Sequence, residues 1–231
     1  MLLEGKWLEQ GFFRFDSSTN RITPTEEIKK LLADGLRIEE SKLHRKSYPV
    51  GPAFRHTIWW REGHYDYAEV QFVAQISKHH PILTLGISIE KGYEDSQIAC
   101  RKSERMDRKG WDWPNLVINC PIIVDNMLPT CAETVRRPIS FRISGREHNG
   151  NGRSETIYNL IDRIWFQRHV GKATSADIPE EIRLLDKNKN WWVNVYIGCD
   201  FYPFETDKMD TDYTAQILLA FSPIRRLLRK R

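Results

Sequence analysis

The chain has 231 residues, 40% of them hydrophobic and 29% charged, with a formal net charge of +4. Apolar mass on that scale supports a packed core, and aromatics at 11% with no low-complexity tract exclude a disordered chain. No apolar run approaches the roughly 18–20 residues of a membrane span, and Glu4 and Lys6 interrupt the stretch a secretory signal would need, so a cytoplasmic chain with no membrane span is expected.

The first clear element is ITPTEEIKKLLADG. Thr23 suits an N-cap, Pro24 the first helical position, and Glu26 the far side of a capping box. Ile28, Leu31 and Leu32 supply an apolar stripe, and Gly35 is placed to end the helix. Three strands follow. In FRHTIWW, Phe54, His56, Ile58 and Trp60 share a face. In YAEVQFVAQI, Ala68, Val70, Phe72, Ala74 and Ile76 oppose Tyr67, Glu69, Gln71 and Gln75. In ILTLGISIE, Leu83, Leu85, Ile87 and Ile89 oppose Thr84, Ser88 and Glu90. Period-two alternation of this kind predicts a sheet with one covered and one polar face, and the short connections favour an antiparallel meander.

Residues 91–135 read as an irregular excursion, because prolines and asparagines break up the apolar stretch from Leu116 to Val124. RPISFRISGRE predicts a fourth strand with Ile139, Phe141 and Ile143 inward. A helix is expected from about Ser154 to Val170, since Ile157, Leu160, Ile161, Ile164 and Trp165 fall at helical spacing. NWWVNVYIGCDFYPF supplies a fifth strand, and a last helix carries Ile217, Phe221, Ile224 and Leu228 with a kink near Pro223. The expected architecture is one α+β domain over 1–231, a mainly antiparallel sheet of about five strands with helices on one face.

The four cysteines, Cys100, Cys120, Cys131 and Cys199, form no C-x-x-C pair, which argues against a zinc ribbon or redox pair and for buried thiols. Charge is more telling. RKSERMDRK sets Arg101, Lys102, Arg105, Arg108 and Lys109 against two acids, and Arg136, Arg137, Arg142, Arg146 and Arg153 cluster further on. Such clusters suit a polyanion, although a solvated surface carries the same letters. The stretch HNGNGRS has the order strand, glycines, helix expected of an anion site, with Arg153 adding a fork. It lacks the P-loop and dinucleotide signatures, and Asn-Gly repeated is equally the mark of a plain turn.

Trp111, Trp113 and Trp192 are the rings that could stack on bases; the competing expectation is a second apolar layer over the sheet. A polar sheet face with Gln71, Thr84, Ser88, Arg142, Asn194 and Tyr196 would complete such a platform. The leading expectation is thus a nucleic-acid-binding domain, for DNA or RNA, of the kind used in restriction, defence or nucleic-acid processing. It would bind phosphates through Arg101, Lys102, Arg105, Arg108, Lys109, Arg142, Arg146 and Arg153, and bases through Trp111, Trp113 and Trp192. A second is a phosphodiesterase built on Glu62, His64, Asp66 and Glu69, the one reading that needs a divalent metal; the others need no cofactor. Its spacing is poor, since residues 66 and 69 point to opposite faces of a continuous strand. A third is a protein-interaction subunit whose aromatics bury against a partner.

Overall fold

The computed structural model describes residues 13–16, 21–24, 26–48, 55–62, 70–77, 83–95, 105–106, 111–148, 155–165, 177–201 and 211–229. The chain is α+β with a mainly antiparallel sheet. Its strands are β1 (Phe13–Asp16), β2 (Arg21–Pro24), β3 (Leu43–Tyr48), β4 (Arg55–Glu62), β5 (Gln71–Ser77), β6 (Leu83–Lys91), β7 (Ile139–His148), β8 (Glu155–Trp165) and β9 (Trp191–Phe201). The helices are α1 (Glu26–Leu36), α2 (Trp113–Ile122), α3 (Leu128–Val135), α4 (Asp177–Lys187), α5 (Thr211–Ala220) and α6 (Ser222–Leu228). β1 and β2 form a two-stranded ribbon, and the remaining seven strands form one sheet in the order β3-β4-β5-β6-β9-β7-β8.

The fold divides into two compact units. The first holds residues 1–64, 71–87 and 198–222, the second 65–70, 88–197 and 223–231; β6 and β9 pass through both. In the first unit α1 packs on α5. The helix begins at Glu26, two residues after the expected first helical position, because Thr23 and Pro24 pair with Arg14 and Phe13 in the β1–β2 ribbon. Gly35 does not end it. A β-carbon there would collide with Leu219 of α5, so glycine serves the close approach of two helices, and the turn-off falls to Arg37 at φ 57°. Arg37 closes the helix with the Ile38 N–H donating to the Ala33 carbonyl, a left-handed cap that glycine usually fills.

Both faces of β6 are enclosed: all nine of its residues are buried, and so are Gln71 and Val73 on β5. The polar sheet face therefore fails as an exposed platform at Gln71, Thr84 and Ser88. Thr84 donates its hydroxyl hydrogen to Asp200 Oδ1 at 2.6 Å, one way the buried polar groups are satisfied.

In the second unit, residues 113–135 of the segment expected to be irregular are helical throughout. α2 passes into a single wide turn, Ile123–Met127, and on into α3. Its prolines sit where they do least harm: Pro114 and Pro129 open α2 and α3, where their missing N–H groups would be unpaired anyway, and Pro121 lies just before the widened turn. Leu116, Cys120, Ile123, Leu128, Cys131 and Val135 form the buried stripe. Arg136 at φ 54° caps α3 as Arg37 caps α1, with the Arg137 N–H donating to the Ala132 carbonyl.

The expected helix from 154 to 170 is instead β8, antiparallel to β7 from Ile139↔Trp165 to His148↔Glu155. The pairing slips between Ile143 and Ser144, leaving Leu160 without a partner in register. That bulge explains the misreading. One added residue breaks period two and sets the apolar letters at 157, 160, 161 and 164 three and four apart. The last helix behaves as expected, divided at Phe221 with Ile217, Phe221, Ile224 and Leu228 buried.

Candidate nucleic-acid interface

Arg105 and Met106 lie against the end of β6. Arg105 forms a parallel bridge with Tyr93, and the Met106 N–H donates to the Tyr93 carbonyl at 2.9 Å. A third tie comes from Trp111, whose Nε1–H donates to the Arg105 carbonyl at 2.9 Å. The indole is itself fixed by packing. Trp111 meets Trp192 edge-on, centroids 5.7 Å apart at 76°, and Tyr93 meets the same ring at 5.8 Å and 59°. Met106 packs against this trio. Tilted and edge-on pairs of this kind contribute about 0.5–1.5 kcal/mol each beyond their buried area.

Enclosure corrects the expectation for the rings. Tyr93, Trp111 and Trp192 are 2%, 8% and 4% exposed, and Trp113 is fully buried with Nε1–H donating to Asp186 Oδ1 at 2.7 Å. None of them is offered to a base. Trp192 lies instead in an apolar cluster with Tyr93 and Trp111, against which Met106 packs. The exposed large apolar side chains among the described residues are aliphatic instead: Ile118 at 73%, Ile122 at 49% and Leu184 at 55%, on the neighbouring helices α2 and α4.

Next to the tie lies a buried amine. Lys91 Nζ donates to the carbonyls of Leu185 (2.9 Å), Asp186 (3.1 Å) and Asn188 (2.5 Å), and pairs with Glu94 Oε1 at 3.1 Å. It thereby satisfies carbonyls at the C-terminal end of α4 that the helix cannot satisfy itself. Burial holds its pKa below the ordinary 10.5, against a raising pull from Glu94. The Glu94 N–H donates to the Lys189 carbonyl at 3.1 Å, closing the turn. Sequence reasoning missed Lys91, Tyr93 and Met106. The signal for the first was present: residue 91 continues the inward series 83, 85, 87, 89. Asp112 supplies a further cross-tie, its Oδ2 accepting the Val70 N–H at 2.8 Å.

The other basic positions are distributed along β7. Arg142 is half-buried opposite Asp162, and Arg146 lies opposite Ile157. Arg105 follows β6, Arg146 lies near the C-terminal end of β7, and Arg136 and Arg137 precede β7. Arg101, Lys102, Arg108, Lys109 and Arg153 fall outside the described residues.

The glycine stretch does not lead into a helix, so the expected anion site at a helix N-terminus has no helix to supply it; β8 follows. Of the metal candidates, Glu62 closes β4 opposite Leu43, while His64, Asp66 and Glu69 fall outside the described residues. Among the described residues no group of three His, Cys, Asp or Glu side chains is placed to hold a metal ion. No protein family, curated protein or solved structure matches the chain.

Proposed function

We propose that the protein binds nucleic acid through the phosphate backbone, with the basic segment 101–109 as its principal contact and Arg146 as a further one. One observation supports this reading: Arg105 and Met106, in the middle of a run of five cations against two acids, are tied to the fold at Tyr93 and Trp111. Phosphate contacts supply affinity without reading sequence. The enclosed rings agree with that division, since they support the backbone of the segment and leave bases unread.

Replacing Arg101, Arg105 and Arg108 together by glutamate is expected to weaken binding to a duplex on the order of 100-fold or more at low salt, and to flatten the plot of log K against log salt by about 2–3. Titration of a labelled duplex at several salt concentrations measures both. Unchanged affinity and slope would remove the segment from the interface.

A further inference from the structure

We infer that the outer face of the α2–α4 helix pair is where two copies of this chain meet, with Ile118, Ile122 and Leu184 at the centre of a two-fold contact. The surface is separate from the nucleic-acid reading and does not depend on it. From Trp113 to Val124 the chain holds no charged residue and no histidine. Trp113, Leu116 and Cys120 are buried, yet α2 also leaves Ile118 73% and Ile122 49% exposed, one turn apart. Its two asparagines are spent inside the chain: Asn119 Nδ2 donates to the Asn115 carbonyl at 2.8 Å, and Asn115 Nδ2 to the Leu228 carbonyl at 2.6 Å. A surface helix ordinarily sets a polar face opposite its apolar stripe, and a helix apolar all round is one that is covered.

Leu184, 55% exposed, widens the patch. Trp113 Nε1–H reaches Asp186 Oδ1 at 2.7 Å and the Arg183 charge is felt at Cys120, so residues 113–120 of α2 lie alongside 183–186 of α4. Ile118 and Leu184 therefore stand at one level of the pair. The charges beside them select the occupant. Exposed Glu180 and Arg183 pair at 3.4 Å, and a cation already neutralised gives a polyanion little to hold. Lys187 and Asp125, exposed beyond opposite ends of the patch, repeat the balance of signs. A two-fold axis perpendicular to the helices sets them antiparallel across the contact, bringing Lys187 toward Asp125 of the second copy and Glu180 toward its Arg183. Three aliphatic side chains at these exposures leave on the order of 300 Å² of apolar surface in water, against about 800 Å² per partner in a standard interface. The contact is thus small, and the dimer forms at roughly tens of micromolar or above.

Sedimentation equilibrium of the nuclease-treated chain, from about 5 to 500 µM, is expected to show the average mass rising from one copy toward two. Ile118→Glu, at an open site that keeps the melting temperature, is expected to weaken association at least about tenfold, because an interface core excludes charge. Glu180→Arg should weaken it about threefold, and Glu180→Arg with Arg183→Glu should restore it, because opposite signs face each other again. If Ile118→Glu fails to fold, Leu184→Glu takes its place with the same expected loss. A wild-type chain that stays monomeric throughout, even one that captures an apolar peptide instead, would overturn the inference. So would a dimer that the folded glutamate variant leaves intact. Duplex titrations run well below the dimer range, so failure here leaves the phosphate reading standing.

Discussion

The two compact units are closed by different means. In the first, backbones come close because side chains are missing: Gly35 lets α1 meet Leu219 of α5, and Gly198 on β9 brings its strand against Leu85 and Gly86 on β6. In the second, polar side chains reach across the chain to backbone groups. Lys91 takes three carbonyls around the end of α4, Asp112 takes the Val70 N–H, Trp111 serves Arg105, and Asn115 Nδ2 donates to the Leu228 carbonyl at 2.6 Å. Steric closure fails by strain, and polar closure fails by leaving buried groups unpaired. The second failure is generally the costlier.

The largest effect is therefore expected at Lys91. Lys91→Met keeps the bulk and removes the charge, leaving Glu94 and the carbonyls at the end of α4 without their donor, at a cost of about 3 kcal/mol by urea unfolding at pH 7. Its pH dependence has a definite sign. Because burial lowers the folded pKa below 10.5, the unfolded chain binds more protons between that lowered value and 10.5, and stability due to this residue rises with pH across that window. The stability gap between wild type and Lys91→Met should widen there; a gap that narrowed would mean that the attraction of Glu94 outweighs burial. Next comes Gly198→Ala. Its β-carbon would lie 2.5 Å from the Leu85 carbonyl oxygen and 3.0 Å from the carbonyl carbon, and a strand backbone yields poorly, so about 2 kcal/mol is expected. If this loss exceeded that of Lys91→Met, the ranking of the two means of closure would be reversed. The smallest effect is expected at Gly35→Ala. Its neighbour is the flexible end of a leucine, and alanine recovers about 1 kcal/mol of helix propensity, so the net change should stay below about 1 kcal/mol in thermal melts.

Legibility in the sequence followed the same physics. Alternation located β4, β5, β6, β7 and β9, and the apolar period located α1 and the last helix. Besides passing over β1, β3 and α4, it misread two segments for opposite reasons. At β8 a bulge at Leu160 converted a strand's period into a helix's. From Trp113 to Val135 three prolines suggested a loop, yet two of them open helices and the third precedes a widened turn that accommodates it. The charge of the basic segment is legible in the sequence. The role of the tryptophans is not, since a ring that stacks on a base and a ring that supports a backbone are written with the same letter. Only Lys91 was readable and overlooked, a cation standing in an inward series of leucine and isoleucine.

The enclosed thiols have a chemical consequence. Burial pushes Cys120 up to about 12 and Cys131 up to about 11. At neutral pH only roughly one Cys120 in 10⁵ is then the thiolate that oxidants and alkylating agents attack. While the chain is folded these two sulfurs are close to inert toward such reagents, so their rate of modification becomes a clock for how often the wide-turned helix opens.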